Sequence, residues 1–281
     1  MSTSSSQPWG ENVLVEFEDG IAWVSMNRPE KKNAISVDLA REMLATMDAL
    51  ETDPRCGVFV LTGSGDSWSA GMDLKDYFRA TDGMGLVERN RAYAINGAWQ
   101  WRRMLMYARP TIAMVNGWCF GGAFTPLIAC DLAIAAEEAK FGLSEINWGI
   151  IPAGVVSKAL TTVISERDRM YYVMTGETFD GRQAAAMRLV NEAVPLARLR
   201  QRTRELARTL LDKNPHVLRA AKHGVRLSAD LSWEQAAEYL TAKSDQTIAC
   251  DPERGREEGM RQFLDEKSFR PGSGAYRRPR P

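Results

Sequence analysis

Three short segments carry the residue types that chemistry needs. The first, Ser67-Trp68-Ser69-Ala70-Gly71-Met72-Asp73-Leu74-Lys75, follows the glycine-rich Thr62-Gly63-Ser64-Gly65. Such a turn leaves backbone N–H groups unpaired. With no side chain at Gly71 the chain can approach a ligand closely, and the Met72 amide is free to donate to an oxyanion. The second segment, residues 115–126, runs through the paired glycines Gly121 and Gly122 into a helix. A helix N-terminus offers free amides and the positive end of a dipole, so the Gly122 N–H is a second candidate donor. In the third, residues 141–152, Glu145 sits among apolar neighbours. Burial there would raise its carboxyl pKa and suit it to proton transfer near neutrality. Taken singly, each segment also fits ordinary structure: a strand-to-loop turn, a packed glycine pair, an exposed or structurally paired glutamate. Neither GxGxxG nor GxxxxGK occurs in these loops, which disfavours dinucleotide and P-loop sites.

These loops need a scaffold, and the pattern around them supplies one. Val13–Phe17 and Ile21–Met26 flank Asp19-Gly20, a hairpin signal. Ser36 can cap a helix in which Ala40, Met43, Leu44, Met47 and Leu50 recur at helical spacing. Val58–Thr62, Thr111–Asn116 and Leu132–Ala135 read as buried strands. Strands alternating with helices predict a largely parallel sheet. Beyond about Pro152 helical patterns dominate, with Leu189–Val194 a weak exception; the C-terminal ones span 196–213, 216–228, 233–250 and 252–266. The domain plan is a flexible lead at 1–11, an α/β core at 12–205, a C-terminal helical oligomerisation subdomain at 206–268 and a disordered tail at 269–281.

Composition narrows the function classes. Lys+Arg and Asp+Glu both number 36, so no overall field draws the chain to nucleic acid or a membrane surface. Cys56, Cys119, Cys130 and Cys250 form no CxxC pair, which argues against a disulfide framework or zinc site and fits a reducing cytoplasm. The first residues show no secretory pattern. Residues 111–130 carry no charge over a length that could span a bilayer, but Asn116, Gly117, Gly121, Gly122 and Pro126 interrupt it, and it reads as strand, turn and helix. His216 and His223, the two histidines, suit surface or cap positions better than catalysis.

In this order and spacing the three segments resemble the crotonase (enoyl-CoA hydratase/isomerase) superfamily, and the resemblance runs from Asn27-Arg28-Pro29-Glu30-Lys31-Lys32-Asn33-Ala34 to Glu258-Gly259-Met260-Arg261-Gln262-Phe263-Leu264. It implies an α/β fold, the crotonase spiral of ββα units with a C-terminal helical subdomain. It also implies that Met72 and Gly122 supply the oxyanion amides and Glu145 the acid/base. Arg28, Lys31, Asn33, Ala34, Ala70, Lys75, Phe263 and Lys267 would bind CoA, with Lys31, Lys75 or Lys267 meeting its phosphates. The substrate is then an acyl-CoA, with no cofactor beyond the CoA it carries, no metal, and assembly as a homotrimer or homohexamer.

Simple hydratases of this type carry a second acid where this chain has Thr125. Residues 72–78, 99–101, 114–122 and 141–150 are similar instead to hydroxycinnamoyl-CoA hydratase-lyases, which act on feruloyl-, caffeoyl- and 4-coumaroyl-CoA. That resemblance implies hydration followed by retro-aldol cleavage, with Tyr77 at the para-hydroxyl of the ring. A second tyrosine, from a neighbouring subunit, stands in that family where this chain has Thr241; Tyr239 lies two positions earlier, on another helix face. Ile151 and Ala153 also alter a proline-rich stretch near the acyl pocket. The alternatives are an enoyl-CoA hydratase for another acyl chain, or a non-catalytic crotonase-like binding protein.

Overall fold

Alternating apolar runs and tight turns build two sheets. The computed structural model describes residues 7–270, 272 and 274–278; expectations for the remaining residues of the lead and tail lie outside these. The strands are β1 (Gln7–Pro8), β2 (Val13–Glu18), β3 (Ile21–Met26), β4 (Val58–Gly63), β5 (Ser67–Ser69), β6 (Thr111–Val115), β7 (Trp118–Phe120), β8 (Leu132–Ala136), β9 (Lys140–Gly142), β10 (Thr178–Asp180) and β11 (Glu192–Val194). One sheet has the order β1-β2-β3-β4-β6-β8-β11, the other β10-β9-β7-β5. From β3 to β11 the large sheet is parallel, and β1, β2 and β3 pair antiparallel. Thus β4 and β5, β6 and β7, and β8 and β9 are successive pairs that each give one strand to each sheet. That repeat is the spiral of ββα units.

Local chemistry explains the joints. Asp19 and Gly20 both have positive φ, as a two-residue hairpin turn requires. The Ser36 side chain accepts from the Leu39 N–H at 3.1 Å and opens the helix Val37–Thr52. That helix buries Leu39, Ala40, Met43, Met47 and Leu50, and the Tyr107 hydroxyl donates to the Met47 carbonyl at 2.7 Å. Trp68, fully buried, donates its indole N–H to the Leu61 carbonyl and ties β5 to β4. Phe124, Phe141 and Phe179 form an aromatic cluster, with Phe141 and Phe179 stacked at 5.3 Å.

Contacts divide the chain into two units, Met1–Tyr107 with Thr111–Ala207, and Ala108–Pro110 with Arg208–Pro281. The second contains the helices Pro215–Ser228, Trp233–Cys250 and Gly255–Met260. Two expectations are corrected. Residues 7–11 are not a loose lead: β1 pairs with β2, and the Asn27 side chain donates to the Glu11 carbonyl. The described part of the tail is likewise held. The Arg277 N–H donates to Gln262, Arg278 pairs with Glu253, and the Tyr276 hydroxyl accepts from Asn214. A composition rich in Pro, Gly and Arg hides these tertiary contacts, because each partner lies far away in sequence. The helix read over 252–266 begins at Gly255. No described helix is long and apolar enough to cross a membrane.

Candidate active site

The three segments singled out in the sequence leave the same end of the small sheet. β5, β7 and β9 run parallel, with Ser69 opposite Cys119 and Cys119 opposite Phe141. Gly71-Met72, Gly121-Gly122 and Leu143-Ser144-Glu145 therefore emerge side by side at the carboxyl ends of three neighbouring strands, where open parallel sheets present their ligands.

Backbone pairing frees the first amide. The Ile35 N–H donates to the Gly71 carbonyl at 2.7 Å, and the Ile35 carbonyl accepts from the Asp73 N–H at 2.9 Å. Ile35 thus bonds the residues on either side of Met72, so the Met72 N–H faces the other way. Gly122 lies in the first turn of the short helix Gly121–Ala123, where an N–H has no intrahelical acceptor. The two amides are close: a Cβ placed on Gly122 would stand 3.4 Å from the Met72 nitrogen, and one on Gly71 3.1 Å from the Gly122 nitrogen. Gly71 (φ +87°) also brings its backbone so near Phe120 that a Cβ would lie 2.4 Å from the Phe120 carbonyl oxygen. Two N–H donors converging in this way can stabilise one developing oxyanion.

Glu145 belongs to the short helix Ser144–Trp148 and is half-buried. Its carboxylate stands over Gly121 (φ +50°), with Oε1 3.0 Å from where a Cβ there would be. Oε2 is buried with no hydrogen-bond partner among the described residues. Burial raises its pKa, opposed only by its own backbone N–H. A carboxyl so placed is tuned to take and return a proton. Thr125, buried on the helix Phe124–Ala129, brings no second acid.

The wall beyond Met72 is aromatic and amide-lined. Tyr77 packs with Val37 and Ala92, and Met72 and Met84 lie against them. Its ring stacks on Tyr93 at 5.8 Å. Burial and the neighbouring Tyr93 push its pKa up to about 12, against a hydrogen bond from the Asn96 side chain. Asn96 and Gln100 both donate to the Met72 Sδ at 3.6 Å. Neither amide was singled out as a site residue. Their sequence signals are the spacing of four on a helix, which puts them on one face, and the place of Gln100 within the resembling stretch 99–101.

The loop from Arg28 to Ile35 is fixed against the first segment. Asn33, fully buried, donates to the Ser64 and Ser67 carbonyls at 2.9 and 2.7 Å and accepts from the Arg28 N–H. The Arg28 guanidinium is engaged within the fold, with Asp73 at 2.8 Å, Asp76 at 2.7 Å and the Ala34 carbonyl at 2.6 Å. Burial opposes the ionisation of Asp73, but the Asp76 N–H, Arg28 and the Lys75 N–H outweigh it and hold its carboxyl below the usual range. Lys31 pairs with Asp76 at the surface, Lys75 and Ala70 are exposed, and the Ala70 N–H donates to the Lys32 carbonyl. Tyr239, Thr241, Phe263 and Lys267 belong to the second unit. There Thr241 is exposed and donates its hydroxyl to the Ala237 carbonyl, while Phe263 and Lys267 are exposed.

The family model described as Enoyl-CoA hydratase/isomerase matches residues 16–271. The chain belongs to the enoyl-CoA hydratase/isomerase family. It is 59% identical over 268 residues to the hydroxycinnamoyl-CoA hydratase-lyase of Pseudomonas fluorescens, covering 95% of this chain and 97% of that one. A more distant member, the mevalonyl-coenzyme A hydratase of Aspergillus fumigatus, is 30% identical, covering 95% of this chain and 97% of its own. Among solved structures, the enoyl-CoA hydratase of Bacillus anthracis superposes with a TM-score of 0.81 at 26% identity, covering 91% of this chain and 96% of that one. The fold is the crotonase fold that the sequence resemblance implied, and the paired strands described above are its repeat.

Proposed function

We propose that the chain is a hydratase-lyase that converts 4-hydroxycinnamoyl-CoA thioesters (feruloyl-, 4-coumaroyl- and caffeoyl-CoA) to aromatic aldehydes, such as vanillin and 4-hydroxybenzaldehyde, plus acetyl-CoA. The observation that carries this reading is a single unpartnered carboxylate, Glu145, beside two converging amides, with Thr125 where simple hydratases carry a second acid. The full-length similarity to a hydroxycinnamoyl-CoA hydratase-lyase supports the substrate class.

In this scheme the thioester oxygen lies between the Met72 and Gly122 amides. Glu145 takes a proton from water as its oxygen bonds to the β-carbon, and the resulting enolate collects that proton at the α-carbon. Glu145 next takes the proton of the β-hydroxyl. The Cα–Cβ bond breaks, its electron pair regenerates the enolate, the aldehyde leaves, and the returned proton completes the methyl of acetyl-CoA. One carboxylate serves both stages because each begins with an O–H to be deprotonated and ends with a carbon to be protonated. Each oxyanion donor is worth roughly 3–4 kcal/mol in comparable acyl chemistry.

Tyr77 receives the para-hydroxyl of the ring, beyond the Met72 side chain that packs against it. The loop of Asn33 and Ala34, with Ala70, Lys31 and Lys75, borders the CoA. Arg28, with its charge already matched by Asp73 and Asp76, holds that loop rather than a phosphate. Phe263 and Lys267, together with Tyr239 and Thr241, complete a site in a homotrimer or homohexamer. CoA enters as part of the substrate, and the reaction needs no separate cofactor. A cytoplasmic setting fits a CoA thioester enzyme with four cysteines outside any disulfide.

Incubating the protein with feruloyl-CoA or 4-coumaroyl-CoA and separating the products tests this. Aldehyde and acetyl-CoA should form in equal amounts and vanish with Glu145→Ala. Accumulation of the β-hydroxyacyl-CoA alone would overturn the cleavage step and leave a plain hydratase.

A further inference from the structure

Two carboxamides converge on the Met72 sulfur. Asn96 lies near the end of the helix Leu86–Gly97, and Gln100 follows in the wide helical turn Ala98–Arg103. Such single-turn widenings of a helix recur at functional sites. Gln100, 5% exposed, donates its Nε2 to the Met72 Sδ at 3.6 Å and to the Asn96 Oδ1 at 2.7 Å. The Asn96 Nδ2 donates to the same sulfur at 3.6 Å. Gln100 thus takes the Asn96 oxygen and leaves its nitrogen for Met72. A thioether is a weak acceptor, so packing alone would be served as well by apolar side chains. What the pair gains is a fixed sulfur. A methionine side chain has three rotatable bonds and, unheld, adapts to whatever gap is near. Here it is laid across Gly122: a Cβ built on that glycine would stand 2.7 Å from the Met72 Cγ and 3.1 Å from Sδ.

We propose that Gln100 and Asn96 are positioning residues for the reaction: by holding the Met72 sulfur they keep its side chain on Gly122 and set the spacing of the two oxyanion amides. The inference rests on the oxyanion role given above to the Met72 and Gly122 amides. Ile35 bonds the residues on either side of Met72, which fixes the direction of its N–H but not its distance from the glycine of the neighbouring segment. The side-chain contact supplies that distance, and the two carboxamides keep it. Donors held at a set spacing need no reorganisation as the enolate forms, so their worth shows in kcat.

The test reads the thioester carbonyl directly. In the full chain carrying Glu145→Gln, 4-coumaroyl-CoA binds without appreciable turnover, and two amides drawing on its carbonyl oxygen move the conjugated absorption band to longer wavelength. This parent should show the shift. Gln100→Met and Asn96→Leu keep apolar bulk but donate nothing. Each should cut the shift by about half, while Kd moves by less than about threefold. With Glu145 restored, each should lower kcat by about tenfold, less than the roughly 10²–10³ lost with a whole donor, and leave KM within about twofold. Met72→Leu keeps the main-chain amide and removes the sulfur; it should show the same loss, and adding Gln100→Met should change little further. A Tm within about 4 °C of the parent shows that a variant is folded, and either amide variant alone suffices for the comparison. An undiminished shift and kcat would overturn the proposal. So would a loss that adds in full to that of Met72→Leu, because the amides then act elsewhere than through the sulfur. A full shift with a weakened Kd would make the pair a wall of the acyl pocket and overturn the proposal while the oxyanion role stands. A parent that leaves the band where it lies in water overturns the oxyanion assignment and the clamp together.

Discussion

The surroundings of Glu145 work against its own charge. Its partnerless Oε2 and raised pKa mean that the folded protein stabilises the carboxylate less well than water does. The linkage follows. Relative to an ordinary carboxyl, its contribution to stability is full below the unfolded-state pKa and is lost as pH rises through the raised folded value. Glu145→Gln is therefore expected to raise Tm at pH 7–8, with the gain disappearing at acid pH, while turnover falls by roughly 10²–10⁴. Thermal scans across pH, beside kinetics, check both. The acid limb of kcat/KM should lie above the ordinary carboxylate range for the same reason. Glu145 was legible in the sequence because its apolar neighbours and the two glycine segments before it form a motif. Asn96 was not, since amides four apart on a helix are commonplace, and Gln100 showed only as a member of the resembling stretch 99–101. What distinguishes them is the Met72 sulfur, well over twenty residues earlier in the chain.

At the scale of elements, legibility followed length. The hairpin at Asp19-Gly20, the Ser36 cap and the long strands β4, β6 and β8 all show periodicity or turn chemistry over enough residues to read. β5, β7 and β9 are three residues each, too short to display an alternation, yet they aim the three segments of the candidate site. The sequence signal they leave is only the glycines at or just beyond their ends, Gly71, Gly121 and Gly142. Gly71 tests how tightly the aim is held. Its φ of +87° and the Phe120 carbonyl oxygen 2.4 Å from a built Cβ leave no room for a methyl group. Gly71→Ala should destabilise the protein by about 1–3 kcal/mol through backbone strain. It should also lower kcat by roughly 10²-fold as the Met72 amide turns away. A denaturant titration and steady-state kinetics on the same sample separate the two effects; an unchanged kcat would mean that the amide does not touch the reacting oxygen.

For the molecule as a whole, the second unit holds itself together from its own end. Asn214 donates to both Asp251 oxygens at 3.1 and 2.9 Å and to the Tyr276 hydroxyl, and Arg278 reaches Glu253 and the Leu211 carbonyl. Burial opposes the Asp251 charge, but Asn214 and the Gly255 and Glu253 N–H groups prevail and keep its carboxyl below the usual range. Deleting residues 271–281 should therefore lower Tm by roughly 2–4 °C, the shift expected for about 1 kcal/mol in a chain of this size. Calorimetry of the shortened chain against the full one measures it. The architecture of the site has a consequence for how such proteins diversify. In the proposed scheme the oxyanion donors are main-chain N–H groups, which every residue except proline possesses, so side-chain replacement cannot delete them as long as the two glycines keep the backbone in place. The side chains of Met72, Tyr77 and Thr125 carry no such obligation. Reaction type is thus stored in the path of the backbone and substrate choice in what hangs from it, so substitution can rewrite the second while sparing the first.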